Sequence, residues 1–392
     1  MVPLVRDQFN GKYSDARYAE YLNEIWRLTK GENDFRVCET PLFLNKVLSS
    51  KLQLAANEIA SYLLTDDFKN NGLSAIPDKL VVPNEDSHPL FLQVDFAICK
   101  DEEGNPIPKL IELQGFPSLY AFQVLLDDVN RQFYNIPNGY TSYFTGFTKE
   151  SYLELLKKAI LADHNPENVI LLEIDPWKQK TRIDFIVTKN YLGIDSVCIS
   201  EIVQKGRKLF YKKDGIEIPI HRIYNRVIFD ELRRKDIQAG FDFHSVLDVE
   251  WAGHPNWFFK ISKHTLPQIK SKYAPNCFYL SNLKMYPTDL ENYVLKPLYS
   301  FAGAGVQVDV TLEMLNGIVD RKNYILQEKV EYMPLIKTPD EYSRAEIRMM
   351  FIWLDEKPLL VNNLLRTSKG KMMGVDFNKG KTWVGSNIVY HP

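Results

Sequence analysis

The chain has 392 residues, 45% hydrophobic and 25% charged, with a formal net charge of −2. That length exceeds one compact core and fits two or three subdomains. The near-neutral balance excludes an electrostatic case for nucleic acid or an anionic membrane as partner. The 22 Phe and 21 Tyr argue against disorder, and no apolar run is long enough to span a bilayer. Arg6 and Asp7 interrupt any apolar segment at the start, so no signal peptide is expected. Cys38, Cys99, Cys198 and Cys277 form no Cys-x-x-Cys pair, which points to a reduced, cytoplasmic setting without a disulfide framework or zinc site.

Thr40-Pro41 reads as an N-cap and first helical position, with apolar residues at helical spacing from Leu42 to Leu64. The period then changes. Phe91 to Cys99 alternates like a strand, Asp101-Glu-Glu-Gly-Asn-Pro reads as a turn, and Lys109 to Gln114 is a second strand, together a β-hairpin. Ser151 to Ala162 has helical spacing. Asn168 to Ile174 and Asp195 to Ile199 read as strands of a small sheet flanked by helices. Leu209 to Lys213, Asp214-Gly215 and Ile216 to Ile220 predict a hairpin, with His221 to Arg226 extending its last strand. From Trp251 the pattern is α+β. A strand ends at Lys296, a loop carries Gly303 and Gly305, and a β-rich run follows from Val306 to Val310. Further strands are expected at Ile347 to Leu354 and Leu359 to Leu364. The expected division is 1–150, 151–250 and 251–392.

Several features carry chemistry, each beside a plainer alternative. Lys296, Pro297 and a glycine loop suit a polyphosphate, since glycines let backbone N–H groups approach an anion and the lysine adds a point charge. The alternative is a strand-end lysine before a surface loop. The spacing is neither a P-loop nor a dinucleotide fingerprint. Glu112 and Gln114 share one strand face, and Asp95 lies on the partner strand; such oxygen ligands suit Mg²⁺, or form an ordinary acidic face. The strand end Gln327, Glu328, Lys329, Val330 suits an adenine edge, or is a simple edge strand. Glu346 and Arg348 share a face, and Arg366 follows on the next strand. Two arginines there would offset charge in phosphoryl transfer, or form a cross-strand ion pair. Lys369, Lys371 and the glycines after them suit a basic lid, or a flexible terminus. Arg226 suits a substrate carboxylate, or a structural ion pair. No Ser/His/Asp or Cys/His signature is present, and the seven histidines lack metal-ligand spacing.

In this order the pieces resemble the ATP-grasp superfamily, above all the circularly permuted branch that includes eukaryotic glutathione synthetase. The carrying segments are Asp95 … Ile111-Glu-Leu-Gln114, Leu295-Lys-Pro297 with Gly303 and Gly305, Leu326-Gln-Glu-Lys-Val330, and Leu364-Leu-Arg-Thr-Ser368. The resemblance implies an α+β ATP-grasp fold of permuted topology with a small αβ (pre-ATP-grasp-like) domain. It implies ATP and Mg²⁺ as cofactors, with small-molecule carboxylate and amine substrates joined through an acyl phosphate; the alternatives are a nucleotide-binding protein without ligase activity and a small-molecule kinase on the same fold. Asp95, Glu112 and Gln114 would hold Mg²⁺. Lys263, Lys296, Ser300, Gly303, Gly305, Gln327, Glu328, Lys329, Val330, Glu346 and Lys369 would line the nucleotide. Arg348 and Arg366 would act in catalysis, and Arg226 would meet a substrate carboxylate. Gln114 stands where the family has Asn, Ser300 where it has an acidic ligand, and Ser368 where it has Lys.

Overall fold

The computed structural model describes every residue except Met1, Glu32, Asn33, Asp78, Phe301, Ala302 and Lys371, and omits the side chains of Val375 and Asp376. It is a mixed α and β structure organised around one antiparallel sheet.

The hairpin forms as its alternation dictates, with strands Phe91–Lys100 and Pro106–Gln114. Its register sets Gln93 against Gln114 and Asp95 against Glu112; Phe96 then faces Leu110, so Ile111 is an extra residue at a β-bulge. On the other side the 91–100 strand pairs with Ser343–Ile352, which pairs with Leu359–Ser368, and Gly385–Asn387 closes that edge. The sheet therefore joins residues 91–114 to residues 343–387.

Period 2 divides it into two faces. Leu92, Val94, Phe96, Ile347 and Met349 are fully buried in a core shared with Leu48, Leu52, Ala55, Ala56 and Ile59 of helix Lys46–Tyr62. Each fully buried Leu or Ile contributes about 1.5–3 kcal/mol relative to exposure. The opposite face carries Gln93, Asp95, Glu346 and Arg348.

The small αβ unit has a parallel sheet ordered Glu250–Ala252, Arg222–Asn225, Val169–Glu173, Asp195–Cys198. From 169–173 the chain runs through helix Arg182–Leu192 to 195–198 on one side, then returns to 222–225 on the other. This reversal makes a switch point at the carboxyl ends of the strands, where α/β sheets bind ligands. A third sheet, antiparallel, orders Cys277–Tyr279, Tyr324–Glu328 and Tyr293–Pro297.

Several expectations are corrected. Thr40-Pro41 opens no helix: Leu42–Phe43 pairs in parallel with Val389–Tyr390, and the helix starts after Asn45, whose side chain accepts from Leu48 N–H at 2.9 Å. The chain begins instead with helices Pro3–Lys12 and Asp15–Leu28. The 222–225 strand belongs to a different sheet from Ile216–Ile220, with His221 between them. Val306 to Val310 forms no strand; Gln307 makes a single bridge to Leu295. Of the expected lid, Lys369 is buried and Gly374 and Gly380 are exposed, while the chain after it, Val384 and Ile388 to Tyr390, is core; Lys371 lies outside the described residues. The 324–328 strand is central in its sheet, not an edge.

Candidate functional site

The polar face of the large sheet holds a buried ion network. Asp95 and Arg348 stand opposite one another across neighbouring strands, with Arg348 Nε 2.6 Å from Oδ1 and Nη2 2.7 Å from Oδ2. Arg366 Nη2 donates to Asp95 Oδ2 at 2.6 Å and also to Glu346, its cross-strand partner. The Tyr332 hydroxyl donates to the other Glu346 oxygen at 2.6 Å. Arg348 Nη1 donates to Gln93 Oε1 at 3.0 Å. Burial alone would raise the Asp95 carboxyl; the charges of Arg348 and Arg366 outweigh it and hold the group below its ordinary range. For Glu346 burial wins and the carboxyl is pushed up, despite Arg366. Arg366 is pushed up too, because Glu346 and Asp95 outweigh its desolvation.

This geometry does not fit the Mg²⁺ site expected from the sequence. Both Asp95 oxygens accept from guanidinium groups. The Gln114 amide lies 2.6 Å from Gln93 Oε1, and with its oxygen turned to the guanidinium it accepts from Arg348 Nη1 at 2.9 Å. Glu112 is the one member of the three that takes no hydrogen bond among the described residues. Among those residues no group of three His, Cys, Asp or Glu is arranged to hold a metal ion.

Two lysines lie near the strand end that carries Glu112: Lys296 bonds the neighbouring Ile111 carbonyl, and Lys263 lines one recess with Glu112. Lys296, at the end of the 293–297 strand, donates to the Ile111 carbonyl at 3.2 Å, the carbonyl that the bulge frees from the ladder. Lys263, at the start of the 3₁₀ segment Lys263–Gln268, donates to the Ser300 carbonyl. Burial lowers both lysines, while the Glu112 charge raises them. Both are desolvated cations that feel the Glu112 charge. Gly303 and Gly305 both take positive φ in the loop that follows.

The expected adenine segment borders a cavity of about 220 Å³ lined by Cys99, Lys100, Lys109, Glu328, Lys329, Val330 and Tyr332. Gln327 lies buried within its strand. The Glu328 N–H donates to Asn276 O at 2.8 Å and the Lys329 N–H to Asn292 O at 2.7 Å. Val330 is the residue of the segment whose N–H takes no partner among the described residues.

Four expected residues stand elsewhere or are already engaged. Arg226 is 3% exposed; it donates to Pro117 O and to Thr181 Oγ1 (3.0 Å), between the rings of Phe116 and Phe185. It ties the loop after the hairpin to Thr181 through both terminal nitrogens. Lys369 is buried and paired with Asp340 at 2.5 Å. Glu346 is held by Arg366 and Tyr332, not free for a ribose. Arg348, with Asp95 and Gln93, positions the network instead of contacting a substrate.

Sequence reading missed Gln93 and Tyr332 of the network, and Asp230, Phe258 and Phe259, which line a recess with Glu112 and Lys263. Gln93 had a signal, lying two residues before Asp95 on the same face. The other four arrive from loops and short helices whose placement no local period reveals.

No protein-family model matches this chain, and no curated protein matches it. Solved structures do. A glutathione synthetase-like effector from Globodera pallida, solved in its apo form, superposes with a TM-score of 0.56 over 91% of this chain and 95% of that one, at 13% identity. The chain therefore has a glutathione synthetase-like fold. No helix among the described residues is long and apolar enough to cross a membrane.

Proposed function

We propose that the chain binds ATP against the polar face of the six-stranded sheet and uses it as an ATP-dependent carboxylate–amine ligase. The fold likeness supports the class by analogy. The observation that carries the reading is the approach of two desolvated lysines to the strand end that holds Glu112: Lys296 bonds the Ile111 carbonyl next to it, and Lys263 lines one recess with it. Desolvated lysines short of counter-charge are what a polyphosphate satisfies. The purine would lie in the 220 Å³ cavity against Val330 N–H. On this reading the hairpin precedes the lysine strand, the permuted order of the branch that the sequence resembles.

The reaction class is as follows. A substrate carboxylate attacks the γ-phosphorus and ADP leaves. An amine then attacks the resulting acyl carbon, the C–O bond to phosphate breaks, and an amide and inorganic phosphate result. Lys263 and Lys296 bind phosphate oxygens. Arg366, whose side chain is 35% exposed, is the member of the ion network that reaches the cleft and offsets charge on the transferred group. Mg²⁺ supplies charge neutralisation in such chemistry, but Asp95 and Gln114 are committed to arginine and glutamine, and no step is assigned to a metal.

A second reading, nucleotide binding without ligation, is favoured by one observation: Arg348 and Arg366 fully occupy Asp95. Release of ADP on adding carboxylate and amine mixtures, with acyl phosphate trapped by hydroxylamine when amine is withheld, supports ligation. An ATP-induced rise in melting temperature with neither product supports the second reading.

A further inference from the structure

A recess of about 50 Å³ shares Lys263 and Glu112 with the nucleotide reading and extends past them to residues which that reading does not use. It sits outside the carboxyl ends of the 222–225 and 250–252 strands, the side of an α/β sheet where ligands bind. The strand end at Gln114 is held against it by Gly115, whose N–H donates to Ile261 O at 3.0 Å.

The walls are chemically one-sided. Ile228, Phe229, Phe258 and Phe259 give an apolar surface, and Asp230 and Glu112 give two carboxylates. Asp230 is exposed and makes no ion pair or hydrogen bond among the described residues. The lysine of the wall, Lys263, donates to the Ser300 carbonyl and on the nucleotide reading is given to phosphate, so the charges left to a second ligand are the two carboxylates. No arginine lines the recess; Arg226, the nearest in sequence, is spent on Pro117 and Thr181. A ligand carboxylate would meet two like charges here and no fork to receive it. A ligand ammonium would meet both carboxylates, and a short alkyl chain the apolar wall. Size limits the chain. At roughly 10–15 Å³ of such volume per water, the recess takes a ligand of about four non-hydrogen atoms.

We infer that this recess is the amine subsite, and that it takes a short aliphatic amine without a carboxylate, not an α-amino acid. The inference rests on the ligase reading for its role, but binding is tested without ATP turnover. Ligand-observed NMR on the full chain would compare propylamine and ethanolamine with glycine and butyrate. The two amines are expected to bind, glycine and butyrate at least ten-fold more weakly, and Asp230→Asn is expected to weaken propylamine at least ten-fold. Glycine binding as well as propylamine, or propylamine indifferent to Asp230→Asn, overturns the inference. The two proposals fail separately. Propylamine binding without any ATP-induced thermal shift leaves the subsite and removes the nucleotide reading; an ATP shift without propylamine binding does the reverse.

Discussion

Asp95 and Arg348 face one another across adjacent antiparallel strands and close a two-point ion pair at 2.6 and 2.7 Å, buried within the sheet. Arg366 joins from the next strand but one. One carboxylate thus serves two guanidinium groups, and removing its charge leaves both short of a partner. Asp95→Asn is expected to destabilise the fold by about 3–5 kcal/mol, the cost of breaking a buried pair from one side. Urea unfolding measures it. A loss below about 1 kcal/mol, as for an exposed acid, would show that the carboxylate is free for other work.

The same pairing governs magnesium. Asp95 offers no oxygen to a cation while Arg348 and Arg366 hold it, and Gln114 faces Gln93 and Arg348. Mg²⁺ alone is therefore expected to leave the melting temperature unchanged at millimolar concentration. A Mg²⁺-dependent rise without nucleotide, lost in Glu112→Gln, would place a metal site there after all.

Lys263 and Lys296 are held below the ordinary lysine range by burial. A bound polyphosphate favours their charged forms and lifts both. Between the lowered values and the ordinary lysine value, binding must take up protons, and affinity falls as pH rises through that window. Calorimetry in two alkaline buffers of different ionisation enthalpy should report proton uptake, reduced in Lys296→Met. Equal heats in both buffers would contradict the assignment.

How much of this was legible in the sequence differs by element. The hairpin was, because alternation over 91–114 is a local signal, and with it the shared face of Asp95, Glu112 and Gln114. The lysine strand and Asp214-Gly215 turn were legible for the same reason. What those residues do was not. That Arg348 falls opposite Asp95 depends on pairing between strands some 250 positions apart, which no window contains. Thr40-Pro41 misled because a cap signature five residues early was overridden by pairing with Val389–Tyr390. In the tail, glycines and lysines suggested a lid but carried no sign of where the core resumes, at Val384 and residues 386–390. Arg226 looked available because the sequence does not show Phe116 and Phe185 enclosing it.

Gly115 tests how the hairpin is seated. A Cβ there would lie 2.7 Å from the Trp257 carbonyl oxygen, a backbone atom that cannot swing away. Gly115→Ala is expected to cost about 1–3 kcal/mol through overpacking. Gly11→Ala, in open space within helix 3–12, should be neutral or stabilising. Thermal unfolding of the two variants checks the contrast. Equal stability would mean that the strand end is not pressed against residues 257–261.

The most direct test of the nucleotide site is calorimetric titration of ATP, with Mg²⁺ present, into the wild-type chain and Lys296→Ala. The account predicts saturable binding to the wild type and at least a ten-fold loss, about 1.4 kcal/mol, in the variant. No binding to the wild type at millimolar ATP, or equal affinity in both proteins, would contradict it.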